Sequence, residues 1–318
     1  PFMLVQALIP SMKKRGYGSG FAAAITASSS AIGTIIPPSI LMIVYGATAN
    51  ISVGTLFVAG YVPGILVAIQ QIAVCYYYAK KVDLPKDQSN RSWKEVFIIL
   101  IRGLIPASIM LVIIGGIVFG IMTATEAAAV SAVYVSILGI LVYRKLTFEM
   151  LFKVAIETTR LTAVVMFCVG SATLFGWLMT YLQILDVASG IIENFATRPT
   201  IFLLFSAFLF IVLGTFMDPV PAILIFVPVL APITIKLNID PILLGVLIVM
   251  TLAIGRITPP YGISLLLACS IAEIPISKAL TWSFILFSGF CLILLLIIFL
   301  PEVSLFLPKL LMPEAMNY

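Results

Sequence analysis

The sequence predicts an all-α integral membrane protein built from two inverted repeats, each holding one broken transmembrane helix. Composition is the first observation. The 318 residues are 62% hydrophobic and 10% charged, with a mean hydropathy of +1.21, which suits long apolar helices in lipid. The second is a repeat: Ala31-Ile32-Gly33-Thr34-Ile35-Ile36-Pro37-Pro38 returns as Ala253-Ile254-Gly255-Arg256-Ile257-Thr258-Pro259-Pro260, at an offset of 222 that also carries Pro10 onto Pro232. The third is the proline pair closing each copy, which breaks a helix inside an apolar run.

Proline lacks the N–H that would bond the carbonyl four residues back. Pro37 and Pro38 are therefore expected to free the carbonyls of Gly33 and Thr34, and Pro259 and Pro260 those of Gly255 and Arg256. In hydrocarbon a free carbonyl costs on the order of several kcal/mol unless it lines a polar cavity or meets an ion. Breaks at matching places in two repeats point to a transporter's binding site near the bilayer midplane.

In chain order, residues 1–12 are an apolar remnant ending at Lys13-Lys14-Arg15. The chain opens inside the first repeat, which predicts a fragment whose first hairpin leg precedes Pro1. A broken span follows over 18–45, then a span from Ser52 to Tyr78 closed by Lys80-Lys81, then a polar stretch to Arg91. Trp93, Val96, Phe97, Leu100, Ile101 and Leu104 recur at helical spacing and predict an interfacial helix leading into a span from Ile105 to Met122. The turn at Thr123 to Glu126 returns the chain to Tyr143, with Glu126 capping and given no transport role. Phe148 to Arg160 predicts a second amphipathic helix, with Glu149, Lys153, Glu157 and Arg160 on one face, ahead of a span from Leu161 to Leu182.

Gly214-Thr215-Phe216-Met217-Asp218-Pro219-Val220-Pro221 cuts the apolar run from Thr200 to Lys236 into two legs. Each is about 14 residues, roughly 21 Å, which is short of the hydrocarbon core and predicts a re-entrant hairpin. The second broken span covers 240–272, and Ser277 to Leu300 is the last full one. Three regions follow: a first-repeat transport bundle at 1–80, scaffold spans with interfacial arm helices at 81–197, and a second-repeat transport bundle at 198–318.

Lys and Arg number 18 against 13 acidic residues. In a lipid-embedded chain this excess is a topology signal and implies no nucleic acid. Alternating spans place fourteen basic residues on one side, only Arg198, Lys236 and Lys309 on the other, and Arg256 within the membrane. The crowded side is then cytoplasmic, and the two repeats enter from opposite faces. His is absent, which removes the commonest general base and His-ligated metals. Cys75, Cys168, Cys269 and Cys291 have no paired spacing, so neither a transition-metal site nor an enzyme is expected.

At each break the first half-helix ends in carbonyls that suit a small hard cation, and the second begins with N–H groups that suit an anion. Gly33 and Gly255 allow close approach of a ligand to the backbone. Thr258 adds a hydroxyl, and Ser28, Ser29 and Ser30 supply three more before the first break; small residues of this kind also serve close helix packing. Asp218 precedes Pro219 as a helix cap would, yet a carboxylate at membrane depth also suggests contact with ligand or ion. Arg256 reads either as a counter-charge to the half-helix dipole or as a partner for a substrate carboxylate.

Gly214 to Pro219 with Pro221-Ala222-Ile223-Leu224, and Leu252 to Gly255 with Thr258-Pro259-Pro260, resemble the large membrane subunit of TRAP transporters, the tripartite ATP-independent periplasmic systems. Lys14-Arg15-Gly16-Tyr17, Ala27-Ser28-Ser29 through Pro37-Pro38, and Thr125-Glu126-Ala127-Ala128-Ala129 are similar too. The resemblance implies a multi-pass protein of the bacterial inner membrane that imports organic acid anions, such as C4-dicarboxylates or sialic acid, by an elevator mechanism. Sodium ions would be its coupling ions, with no other cofactor. Its partners would be a periplasmic substrate-binding protein and a small membrane subunit. Cations would sit at Gly33, Thr34, Ile36 and Pro38 and at Gly214, Gly255 and Thr258; substrate would lie near Ser28, Ser29, Ser30, Asp218 and Arg256. The alternative is a stand-alone sodium/divalent-anion symporter of the related fold.

Overall fold

The computed structural model describes residues 2–82, 92–184, 190, 198–258 and 262–313. Pro259 and Pro260, most of the polar stretch after Lys81, and the end of the proposed scaffold region lie outside these. The described residues form helices α1 (Phe2–Lys14), α2 (Ser19–Ile32), α3 (Ile40–Ala49), α4 (Val53–Val82), α5 (Trp93–Val118), α6 (Ala124–Ile137), α7 (Phe148–Tyr181), α8 (Pro199–Phe216), α9 (Pro219–Lys236), α10 (Pro241–Gly255), α11 (Ile263–Ala272), α12 (Ser277–Phe299) and α13 (Glu302–Leu311). Among them, α4, α5, α7 to α9 and α12, and α6 together with the π-helical turn Leu138–Val142 that continues it, are long and apolar enough to cross a membrane. Two units emerge: residues 1–86 with 176–318, and residues 87–175.

The first unit has two distinct ends. At one, the Gly18 N–H donates to the Tyr78 hydroxyl near the end of α4 (2.9 Å), and Lys13 Nζ donates to the Ala272 carbonyl closing α11. Gly20 there lies so near the start of α12 that a Cβ would stand 2.1 Å from the Lys278 carbonyl oxygen. Phe21 stacks on Tyr78 at 3.7 Å, and Trp282 meets both rings edge-on. Lys13 to Arg15, Lys80, Lys81 and Lys278 thus share this end. At the other, the Tyr45 hydroxyl donates to the Pro241 carbonyl (2.7 Å), and a cavity of about 430 Å³ is lined by Pro199, Asn238, Asp240, Phe299 and Lys309. Helix α2 runs from the basic end to its break and α10 from the opposite end to its own, so the two broken helices run in opposite directions, and the basic residues Lys13 to Arg15, Lys80, Lys81 and Lys278 of this unit gather at one end.

Local signals place the helix ends. Asp218 and Asp240 each precede a proline at the first helical position and accept the N–H two residues on, from Val220 (3.0 Å) and Ile242 (2.8 Å), as N-caps do. Helices α3 and α11 end alike: Asn50 and Glu273 are left-handed caps, followed by Ile51 N–H to the Gly46 carbonyl and Ile274 N–H to the Cys269 carbonyl. This pair is offset by 223, so the second break carries one extra residue. The new register holds in the following helices. Gly60 leaves room for the Ile35 carbonyl, while its counterpart Ser283 donates to the Ile257 carbonyl at 3.2 Å.

Three sequence expectations need correction. The hairpin legs α8 and α9 have 18 residues each, roughly 27 Å, because helix continues up to Phe216 and resumes at once at Pro219. Their length alone therefore does not make the hairpin re-entrant. The two amphipathic segments are not separate arm helices: α5 runs unbroken for 26 residues, carrying Gly103 and Pro106 within it, and α7 runs for 34 with no proline to interrupt it at Leu161. The side chains of Trp93, Val96 and Ile101 in the predicted stripe lie outside the described set. Helix α13, beyond the last predicted span, was not anticipated.

In the second unit, the Ser108 and Tyr134 hydroxyls join α5 to α6 at 2.8 Å. Thr123 and Glu126 form a reciprocal capping box at the start of α6, the role expected of Glu126. Its spanning windows are at most 11% buried, against a third or more in the first unit.

Candidate functional site

The second break is built by packing of α8 on α10. A Cβ on Gly255 would stand 2.6 Å from the Gly214 carbonyl carbon and 2.8 Å from the Ile211 carbonyl oxygen; a Cβ on Gly214 would stand 3.0 Å from the Leu252 carbonyl oxygen. Two glycines are thus what lets the hairpin backbone touch the backbone at the break. Thr258 lies just past Gly255 with its hydroxyl on the Ile254 carbonyl (2.8 Å), and the Thr215 hydroxyl bonds the Ile211 carbonyl (2.9 Å). Asp218 is exposed at the hairpin tip. Arg256 is half-buried, and its guanidinium has no hydrogen bond or ion pair among the described residues.

The expectation of four freed carbonyls is met only in part. The Arg256 carbonyl accepts from the Ser264 N–H (3.1 Å), and that of Gly255 from the Thr258 N–H (3.2 Å). At the first break the Ser39 hydroxyl donates to the Thr34 carbonyl. The Gly33 carbonyl takes no hydrogen bond among the described residues. A carbonyl has two lone pairs, so one hydrogen bond still leaves a lone pair that can face a cation.

The first break is more open. Gly33 and Pro38 are exposed, Thr34 and Ile36 half-buried, and the nearest atom to a Cβ on Gly33 would be the Ser30 carbonyl oxygen at 3.6 Å. The Thr34 hydroxyl turns back to the Ala31 carbonyl (2.7 Å), and Ile36 packs into the space left by Gly64. The three serines diverge. Ser30 bonds the Ala27 carbonyl of its own helix (2.6 Å), whereas Ser28 accepts from Gln71 Nε2 (2.8 Å) and Ser29 donates to Gln71 Oε1 (2.9 Å).

The structure thus brings Gly214, Gly255 and Thr258 together and places Gly33, Thr34, Ile36 and Pro38 around one turn. Sequence reading missed Gln71 and Ser39. Ser39 carried a legible signal, a serine before an apolar helix. Gln71 carried only its polarity inside an apolar span, with no hint of its partners.

Residues 4–303 match the family model described as "Tripartite ATP-independent periplasmic transporter, DctM component". The chain is 37% identical over 307 residues to the C4-dicarboxylate TRAP transporter large permease protein DctM of Pseudomonas aeruginosa, covering 95% of this chain and 70% of that protein. It is 35% identical over 313 residues to the sialic acid TRAP transporter large permease protein SiaM of Vibrio cholerae, covering 96% and 72%. It is 35% identical over 298 residues to the isethionate TRAP transporter permease protein DctMQ of Oleidesulfovibrio alaskensis, covering 94% of this chain and 47% of that one. The matched segment contains both breaks, the hairpin between α8 and α9, and all the candidate residues. The chain belongs to the DctM component family of tripartite ATP-independent periplasmic transporters: it is a large permease of the bacterial inner membrane, and not an enzyme.

Proposed function

We propose that the chain imports an organic acid anion by sodium symport, with the first unit carrying the ligand sites and moving as an elevator. The contact of Gly214 with Gly255 carries this reading. It sets a hairpin tip against the end of α10, a helix of 15 residues that extends roughly 22 Å from the Asp240 end. Helix α4 has 30 residues and spans roughly 45 Å between the two ends. The tip therefore stops inside the bilayer, and the hairpin is re-entrant because of where its tip packs. Sodium is assigned to Gly33, Thr34, Ile36 and Pro38 and to Gly214, Gly255 and Thr258. The anion is assigned to Ser28, Ser29, Ser30, Asp218 and Arg256.

C4-dicarboxylates and sialic acid are the proposed substrate class, by similarity to the relatives so named. A periplasmic binding protein and a small membrane subunit are the proposed partners, the subunit being separate or, as in relatives named DctMQ, part of one permease protein. A tenfold sodium gradient supplies about 1.4 kcal/mol per ion, and about 2.3 kcal/mol more comes from each 100 mV. Two ions balance the charge of a dianion, so the potential cancels and two tenfold sodium gradients support up to about a hundredfold accumulation. The test is uptake of labelled succinate and N-acetylneuraminate into proteoliposomes holding the full-length protein with its subunits. Uptake should require an inward sodium gradient; equal uptake with potassium in its place would sink the coupling.

A further inference from the structure

The Gln71 side chain, 4% exposed in the middle of α4, spends both ends of its amide on the last turns of α2, donating to Ser28 and accepting from Ser29. The second repeat shows what the fold alone requires at this place. Through the break the register offset is 222, so Ser28 and Ser29 correspond to Met250 and Thr251; beyond it the offset is 223, so Gln71 corresponds to Leu294. Met250, Thr251 and Leu294 are all buried, and the Thr251 hydroxyl returns to the Leu247 and Ile248 carbonyls of its own helix. At this level of the same helix pair the second repeat has no side-chain hydrogen bond among the described residues; the bond from Ser283 in α12 goes instead to the Ile257 carbonyl past the end of α10. The Ser28–Ser29–Gln71 clasp is an addition to the first repeat.

Its effect on the serines is specific. A helical serine ordinarily folds its hydroxyl back onto the preceding turn, as Ser30 does here. Gln71 holds Ser29 off that position, and it occupies an acceptor site of Ser28 whose own proton meets no acceptor among the described residues. An amide clamped at both ends has one orientation, so the two hydroxyls have fixed directions one turn ahead of Gly33 and its free carbonyl. Ser28 is buried and Ser29 half-buried, so the donor left over is held inside the wall of the break, where an acceptor-rich ligand such as a carboxylate would take it.

We propose that Gln71 is a positioning residue for the anion: it orients Ser28 and Ser29 at the first break and so sets the affinity for substrate without touching it. This rests on the transport reading above. The experiment compares wild type, Gln71→Leu and Gln71→Glu, full-length with their subunits in proteoliposomes, using labelled succinate and N-acetylneuraminate at saturating sodium. Leucine is what the second repeat carries, so the Gln71→Leu protein should insert and keep its melting temperature, while KM for the imported anion rises about tenfold or more and the maximal rate changes less than about threefold. A neutral glutamic acid can donate and accept as glutamine does, whereas a carboxylate only accepts, and burial raises its pKa. Gln71→Glu should therefore import near the wild-type rate at about pH 6, lose import toward about pH 9, and recover when the same vesicles are returned to low pH. A folding role would give no reversible profile. An unchanged KM in Gln71→Leu, or a Gln71→Glu profile parallel to wild type, overturns the proposal, the latter deciding alone if the leucine variant fails to insert. If wild type imports neither anion, the transport reading itself fails and Gln71 loses its role with it.

Discussion

Gly214 and Gly255 meet backbone to backbone, closely enough that a single methyl on Gly255 would fall 2.6 Å from the Gly214 carbonyl carbon. Gly33, the counterpart of Gly255, has 3.6 Å to its nearest neighbour and is exposed. The two glycines therefore answer differently to the same change. Gly255→Ala must push the hairpin away and is expected to cost about 1–3 kcal/mol and to abolish uptake. Gly33→Ala should leave the melting temperature unchanged. Equal thermal stability of the two variants would mean that the hairpin does not rest on the break.

Asp218 caps α9 through the Val220 N–H, a task asparagine performs about as well while alanine forfeits about 1 kcal/mol. Asp218→Asn should keep its melting temperature and lose uptake at least about tenfold, if the charge meets sodium or a substrate hydroxyl. Uptake that follows stability through Asn and Ala alike would leave Asp218 only its cap.

Arg256 has no partner among the described residues for its five donors, and Thr34 stands at its place in the first repeat. The fold does not demand the cation. Lysine would keep a dipole counter-charge at a cost under about 1 kcal/mol, but it lacks the planar fork that binds a carboxylate at two points. Arg256→Lys and Arg256→Gln are both expected to weaken uptake by about 2–5 kcal/mol in apparent substrate affinity, with sodium binding intact. A near-normal KM in the lysine variant would reduce Arg256 to a structural role.

Ser39, buried at 1%, accepts the Met42 N–H at the start of α3 and donates to the Thr34 carbonyl. Ser39→Ala removes a cap and leaves that carbonyl bare, at a cost of about 1–2 kcal/mol. Ser39→Thr should restore most of it. Thermal melts in detergent measure both.

The basic end formed by Lys13, Lys80, Lys81 and Lys278 should face the cytoplasm. Single cysteines at Lys81 and at Asn50, in a background without the native four, should be labelled by an impermeant reagent only from inside and only from outside, respectively. Labelling of position 81 from outside intact cells would reverse the topology.

What the sequence determined by itself is whatever depends on neighbours along the chain or on repetition. Membrane class follows from composition, the caps at Asp218, Asp240 and Thr123 from hydrogen bonds reaching two or three residues, and the breaks at Gly33 and Gly255 from prolines that remove a donor wherever they stand. The opposite directions of the two broken helices were legible because lipid sorts basic residues by side. Tertiary structure decided which of these features meet. That Gly214 backs onto Gly255, that Lys13 closes a helix ending at Ala272, and that Gln71 clasps Ser28 and Ser29 are contacts between segments 41, 259 and 42–43 residues apart, respectively. Each is made by a residue type that many partners could satisfy: a glycine fits any close backbone, a lysine any helix end, a glutamine any hydroxyl pair. Only the packing of α2, α4, α8, α10 and α11 selects among them, because the choice is set by distance in space and leaves no trace in local order.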